Sequence, residues 1–425
     1  MKTSTALPTE GHITDVWRTF VLCALLLVVG INLRSTILAV PPVLPLIKQD
    51  LNLSYTAAGL LTSMPTLIMG ATAWSSGLLV ERIGGRNAVT LGLILLASGS
   101  LLRAVWTAAF PLFFFTVLLS LGIALTQTTI PVLVRRWFPT RIGLTTALFT
   151  DGLIIGETLG AGATVPLMLW FLGKGAWSAT FVFWGLPVVA LVVVWLWLAP
   201  RTIRQSLTIS SLKEATTARS EVAPQPQTGT RVSTIHLGLL LGSGSLIYFA
   251  MNNWIASYNQ AIHHAALTPL ALAILNAAQI PSSLGVTFFA QRLMGRRWPF
   301  VLAGCVCLIT ILCWIFTPAG LEYLWAALLG ASSALVFTLA LALPALLAAP
   351  ERIARLTGAT LSLGYSTAFI GPFIGGALWD IFNLPALAFL PVILASILLI
   401  FLGIYLPVYG ARALSSRPHE RRDLT

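Results

Sequence analysis

The chain has 425 residues, 57% hydrophobic and 9% charged, with a mean hydropathy of +0.89 and a formal net charge of +12. This leaves no room for a sizeable soluble domain, and the positive excess, which in a soluble protein would suggest nucleic acid, is accounted for by membrane topology and anionic lipid headgroups. The four cysteines, Cys23, Cys305, Cys307 and Cys313, all fall in apolar segments and imply neither a disulfide nor a zinc site.

A helix needs roughly 20 mostly apolar residues to cross about 30 Å of hydrocarbon. Segments of that kind are predicted, in chain order, at 17–43, 57–80, 88–109, 111–134, 143–171, 177–199, 235–262, 269–290, 299–317, 321–348, 356–381 and 385–408. The expected fold is therefore an all-α membrane protein with twelve transmembrane helices. The first residues, Met1–Val16, carry Glu10 and Asp15 and lack the basic-then-apolar plan of a cleaved signal. Of the 25 Lys and Arg residues, 21 fall in alternate gaps and at the two termini. Long loops obey the positive-inside rule poorly, but without the five basic residues of the central linker the bias is still 16 of 20. Both termini are thus expected in the cytoplasm, and the protein in the cytoplasmic (inner) membrane as a multi-pass protein.

The spans divide into an N-terminal six-helix bundle (1–199), a cytoplasmic linker (200–234) and a C-terminal six-helix bundle with a cytoplasmic tail (235–425). The linker is rich in Ser, Thr, Pro and Gln without apolar periodicity, which is the composition of a flexible tether. The two sets of spans resemble each other locally. Gly143, Gly156 and Gly160 of the fifth span are spaced like Gly358, Gly371 and Gly375 of the eleventh, and the loop Glu81–Arg86 is echoed by Gln291–Arg296 at an offset of 210. Parallel six-helix repeats of this kind suit a carrier that rocks about a site between them.

The run Gly77-Leu78-Leu79-Val80-Glu81-Arg82-Ile83-Gly84-Gly85-Arg86 resembles the signature loop between helices 2 and 3 of the major facilitator superfamily, with Glu where Asp is usual. The resemblance implies a gating motif of Gly77, Glu81, Arg82, Gly84 and Arg86, in which Glu81 holds the inner gate shut against the positive N-terminal end of helix 11. A narrower resemblance is carried by Gly30-Ile31-Asn32-Leu33-Arg34 with Pro42 and Leu44-Pro45, by Leu60-Leu61-Thr62 with Pro65 and Gly70, by Gly122-Ile123, Gln127, Pro131, Arg135-Arg136 and Phe138, and by Tyr248 with Trp254. These are similar to the cyanate permease and 2-nitroimidazole transporter family. Ser35 stands where that family often has Pro, and Trp254-Ile255-Ala256 where it has Trp-Leu-Pro.

Charge inside the hydrocarbon narrows the search for a site. Arginine near a bilayer centre costs about 2.5 to 3.5 kcal/mol on insertion scales and needs a partner or a watery cavity. Arg34 lies 16 residues beyond Arg18, about 24 Å deep at a helical rise of 1.5 Å per residue. Either it meets an anionic or strongly dipolar substrate, or it forms an ion pair. The named partner is Glu157, which lies 16 residues beyond Arg141 and so at a similar depth. Glu157 and Asp151 flank the small-residue ridge Gly152, Gly156 and Gly160, which should pack against another helix. Both acids are candidate proton-coupling carboxylates. In register, Glu157 stands where a Gly-rich helix 5 motif of superfamily antiporters has Pro. Arg103, 17 residues past Arg86, is expected to snorkel at the outer end of the third span. Asn32, Gln127, Asn252, Tyr258, Asn276 and Gln279 supply amide and phenolic donors, and Tyr248 and Trp254 could stack on a planar solute.

No His-Glu-x-x-His, Gly-x-Ser-x-Gly or P-loop occurs, and the five His mark span ends or tails, so neither an enzyme, a cofactor nor a metal is expected. The expectation is a monomeric secondary transporter, a permease or exporter, whose partners are a small-molecule substrate, the lipid bilayer and protons as a coupling ion, with no nucleic acid. The alternative is a proton-coupled drug or multidrug efflux antiporter working through Glu157 or Asp151.

Overall fold

The computed structural model describes residues 10–138, 141–171, 177–200, 233–317, 320–347 and 350–406. Residues 201–232 of the expected linker, Lys174 and the basic residues of the two tails, Lys2 and Arg412 to Arg422, lie outside the described residues. The helices are α1 (Glu10–Leu38), α2 (Val40–Asp50), α3 (Tyr55–Ile83), α4 (Gly85–Val105), α5 (Ala109–Trp137), α6 (Ile142–Thr158), a π-helical turn (Leu159–Ala163), α7 (Thr164–Phe171), α8 (Trp177–Leu198), α9 (Thr234–Ala261), α10 (Thr268–Ala277), α11 (Gln279–Phe288), α12 (Ala290–Leu293), α13 (Trp298–Phe316), α14 (Glu322–Leu347), α15 (Pro350–Phe382) and α16 (Leu390–Ile404). Among the described residues ten stretches are helices long and apolar enough to cross a membrane. They are apolar on their outward faces too: Phe110, Trp197, Phe288 and Phe316 are each at least 80% exposed. That is the surface hydrocarbon solvates and water does not.

Proline sets the breaks inside two spans. The first span does not stop at residue 43 but turns at Ala39 and continues as α2 to Asp50. Pro41 and Pro42 fall in the first turn of α2, where a missing N–H costs nothing. The eighth span breaks at Ala278 into α10 and α11, with Pro281 in the first turn of the second piece. Gln279 therefore sits at a bend.

Helix packing follows the small residues. α1 lies along α6, and the ridge Gly152, Gly156 and Gly160 faces the α1 backbone, as its spacing predicts. A Cβ on Gly152 would stand 2.3 Å from the Leu27 carbonyl oxygen, one on Gly156 2.2 Å from that of Ile31, and one on Gly160 2.7 Å from that of Ser35. This contact fixes the register that brings Arg34 level with Glu157. In the C-terminal set of helices (α9–α16), α15 packs along α9; between the two sets, α15 packs along α3 and α10 against the π-helical turn.

The basic loops clamp helix ends. Arg86 donates from Nη2 to the Leu196 carbonyl at 2.6 Å and from Nε to that of Ala199 at 3.0 Å. Arg297 does the same for the last helix, donating from Nε to the Leu406 carbonyl at 2.5 Å. Both cations sit where the unsatisfied carbonyls and the negative end of the helix dipole lie. Gly84 (φ +82°) and Gly295 (φ +70°) turn the chain before each clamp. The counterpart of Arg86 is thus Arg297, not Arg296, and the repeat runs at an offset one residue longer than the sequence pairing suggests. Arg103 also corrects an expectation. Its side chain does not snorkel; the residue is 1% exposed, with its guanidinium 4.3 Å from the Phe181 ring centroid and Nη2 3.4 Å from the Thr36 carbonyl oxygen. The third span packs against both α5 and α8, which turns this face of α4 inward.

Candidate functional site

A cavity of about 630 Å³, the open space at its mouth included, lies where α1, α6, α9, α11, α14 and α15 converge. α1 contributes Arg34; α6 contributes Thr150, Leu153, Ile154 and Glu157; α9 contributes Gly244, Ser245, Tyr248 and Phe249; α11 contributes Gln279 and Ser283; α14 contributes Ser333, Ala334, Phe337 and Thr338; and α15 contributes Tyr365. Most of its lining surface is apolar, although ten of these sixteen residues also carry a polar side-chain group, a build that suits a small organic molecule or ion.

That polar set centres on one carboxylate. Nε of Arg34 stands 3.4 Å from Oε1 of Glu157, and both side chains are buried. Gln279 donates from Nε2 to the other oxygen, Oε2, at 3.0 Å. Glu157 thus ties its own α1 neighbour to a helix of the C-terminal set. The pairing follows from energetics: a carboxylate and a guanidinium taken together out of water cost far less than either alone, and further hydrogen bonds lower the cost again. Arg34 is not saturated by it. Its Nη1 has no hydrogen-bond partner among the described residues, and its guanidinium carbon lies 5.9 Å from the Phe249 ring centroid.

Behind Tyr248 runs a chain of amides. The Tyr248 hydroxyl donates to Oδ1 of Asn276 at 2.5 Å, and Nδ2 of Asn276 donates to Oδ1 of Asn252 at 2.8 Å and to the Leu272 carbonyl at 2.8 Å. Asn252 in turn donates to the Tyr248 carbonyl at 3.1 Å. On the opposite wall Gln127 donates from Nε2 to the Tyr365 hydroxyl at 3.2 Å.

Of the residues singled out from the sequence, Arg34, Glu157, Tyr248 and Gln279 line the cavity. Asn252, Asn276 and Gln127 stand one hydrogen bond behind it. The others lie elsewhere. Asn32 turns its amide back to the Val28 carbonyl of its own helix at 2.9 Å. Trp254 is buried against Tyr55 and Trp379, with centroids 6.2 and 5.6 Å away, and Tyr258 packs edge-on to Phe389. Asp151 is half-buried, does not line the cavity and forms no ion pair among the described residues. Glu81 and Arg82 of the gating motif are exposed, and nothing lies within 4 Å of a Cβ placed on Gly77; the side chains of residues 350–355, at the start of α15, lie outside the described residues.

Sequence reasoning missed Tyr365, Phe249, Phe337 and the serines Ser245, Ser283 and Ser333. Single serines and aromatics in membrane helices carry no signal of which way they face. Tyr365 had one readable clue: it stands one residue past Gly364 in a span rich in small residues.

The family model described as Major Facilitator Superfamily matches residues 20–372. The chain is 27% identical to the Uncharacterized transporter YycB of Bacillus subtilis (strain 168), over 83% of this chain and 85% of that protein. It is 27% identical to the Cyanate transport protein CynX of Escherichia coli (strain K12), over 84% of this chain and 89% of that one. To the 2-nitroimidazole transporter of the same organism it is 26% identical, over 85% and 88% of the two chains. Among solved structures, the inward open conformation of the xylose transporter XylE from E. coli superposes with a TM-score of 0.69 at 12% identity, over 92% of this chain and 97% of that one; at that identity it speaks for the fold alone. An all-helical membrane chain, a signature loop whose Arg86 clamps the end of α8, and a family match across most of its length lead to one conclusion: this chain belongs to the major facilitator superfamily of membrane transporters.

Proposed function

We propose that this protein is a secondary transporter that moves a small anionic or strongly dipolar solute, of the cyanate, nitrate or nitroimidazole kind, across the cytoplasmic membrane by alternating access. The proposal takes the chain as a monomer with twelve spans, in six-helix bundles 1–199 and 235–425 joined by the linker 200–234, and with both termini cytoplasmic. Two helices beyond the ten apolar ones support that number: α3, of 29 residues, and the continuous run α6 to α7.

One observation carries the solute class. Among the described residues Nη1 of Arg34 has no hydrogen-bond partner while it is buried in the cavity wall, and a buried guanidinium donor with no acceptor calls for one. Tyr248, Gln279 and Tyr365 then fix the orientation, with Phe249 as a flat wall. Asn252, Asn276 and Gln127 hold two of those side chains in place. Glu157 neutralises Arg34 while the site is empty and is the group to accept a proton when an anion takes its place. The names of the relatives, a cyanate transport protein and a 2-nitroimidazole transporter, fit a solute that offers one or two acceptor atoms on a small planar frame.

Thermal-shift titration of the purified protein with cyanate, nitrate, short carboxylates and nitroimidazoles tests the reading. A stabilising ligand is expected whose effect is lost in Arg34→Gln. If Arg34→Gln binds and transports every stabilising anion as wild type does, the reading is wrong. The phenyl walls of Phe249 and Phe337 favour a second reading, a proton-coupled antiporter of bulkier apolar drugs. For that reading Glu157→Gln abolishes pH-gradient-driven drug export while Arg34→Gln leaves drug binding in place.

A further inference from the structure

At the end of the bundle opposite the basic loops, α3 and α15 approach backbone to backbone. A Cβ on Gly376 would stand 2.2 Å from the Tyr55 carbonyl oxygen, and one on Gly59 2.2 Å from that of Pro372. Asp380, in the last turn of α15, closes this junction. Its carboxylate accepts from the backbone N–H of Tyr55 at 2.9 Å, from the backbone N–H of Thr56 at 2.7 Å and from the Thr56 hydroxyl at 2.6 Å. Those N–H groups open α3 and have no acceptor within their own helix. Ser54 satisfies only the third, by accepting from Ala57 N–H at 3.0 Å. Helix α3 is therefore capped in part by its own chain and in part by a charged group from the other set of helices.

The cap is sealed by rings. Tyr55 lies flat on Trp379, with centroids 3.9 Å apart and planes at 9°, and Nζ of Lys48 stands 3.9 Å from the Tyr55 centroid. The contact between the two helices runs on to Gly70, whose carbonyl accepts from the Ser362 hydroxyl at 2.7 Å; beyond it a Cβ on Gly77 of α3 or on Gly358 of α15 would have nothing within 4 Å, and Glu81 is exposed.

We propose that Asp380 is the outer latch of the transport cycle: a carboxylate at the end of α15 that borrows the unpaired N-terminal donors of α3 to hold the outer gate shut, and releases them when the site turns outward. This goes beyond the solute reading above and does not depend on Arg34. A charged acceptor suits the place because it gains both charge-assisted hydrogen bonds and the positive end of the α3 dipole. Since the donors belong to a helix terminus, release leaves them to water rather than stranding them in hydrocarbon, so the latch can open reversibly.

The test is a distance measurement between the outer ends of the two sets without any solute. Spin labels go on Phe110→Cys and Phe316→Cys, both 80% exposed, with Cys23, Cys305, Cys307 and Cys313 replaced by Ser, in lipid nanodiscs. Asp380→Asn is expected to raise the long-distance, outward-open population roughly tenfold, the weight of a charged hydrogen bond. Thr56→Val, which removes only the hydroxyl donor, should shift it the same way by less. An Asp380→Asn protein that elutes as a folded monodisperse species with the wild-type distribution overturns the proposal. Should that variant not fold, an unchanged distribution in Thr56→Val overturns it instead. An inert Arg34→Gln variant would bear only on the solute reading.

Discussion

Two arginines lie buried among the N-terminal helices, and they differ in what surrounds them. Arg34 has a carboxylate 3.4 Å from Nε and a cavity in front of it. Arg103 is still more buried, yet it lies against the ring of Phe181 and the carbonyl of Thr36 and does not line the cavity. Burial of charge alone therefore does not mark a transport site. What separates the two is the presence of space and of a counter-charge that can be exchanged. Arg103 is held by a cation–π contact and a long hydrogen bond; its Nε, like Nη1 of Arg34, has no hydrogen-bond partner among the described residues, but it does not face the cavity that would bring a solute to it.

The largest effect should come from leaving Arg34 without its partner. Glu157→Ala is expected to cost about 3–5 kcal/mol of stability, because an uncompensated buried cation remains; thermal unfolding in detergent measures it, and Arg34→Gln made in the same background should recover part of the loss. Next comes Arg34→Gln alone, for which transport of a stabilising anion into proteoliposomes should fall about a hundredfold, the weight of one charge-assisted contact of about 2–3 kcal/mol. Equal transport by the variant would remove the distinction drawn between the two arginines. Phe181→Leu, which takes the ring from Arg103, should lower stability by about 1–2 kcal/mol with transport rates retained. The smallest effect is expected for Arg103→Met, a similar volume without the charge, at within about 1 kcal/mol in stability and with normal transport. A transport-dead Arg103→Met would show that this arginine, too, belongs to the working site.

The ridge Gly152, Gly156 and Gly160 shows why some of this was legible in advance. Small residues every fourth position can only mean a close helix contact, and Arg34 and Glu157 could be placed at one depth by counting residues from Arg18 and Arg141. Neither observation said which helix the ridge would meet. The contact with Leu27, Ile31 and Ser35 answered that, and with it whether the two charges could touch. Trp254 and Tyr258 show the reverse case. Their residue types matched a stacking and a hydrogen-bonding role, but the rotation of α9 turns them to Trp379 and Phe389, and rotation is not encoded in a helix that is buried on every side.

The amino-acid sequence by itself determined the membrane class, the order and approximate extent of the apolar helices, the signature loop and the common level of Arg34 and Glu157, because hydropathy, helical rise and loop charge act locally along the chain. The family match over residues 20–372 and the ten apolar helices agree with that reading. Only the tertiary structure decided that Gln279 reaches Glu157 across the bundle, that Arg103 turns inward, that Arg297 rather than Arg296 clamps the last helix, and that Asp380 caps α3. Each of these joins residues far apart in the chain through helix rotation and close backbone approach, and in hydrocarbon, where every face of a helix is equally apolar, those are set by packing and by nothing the sequence spells out locally.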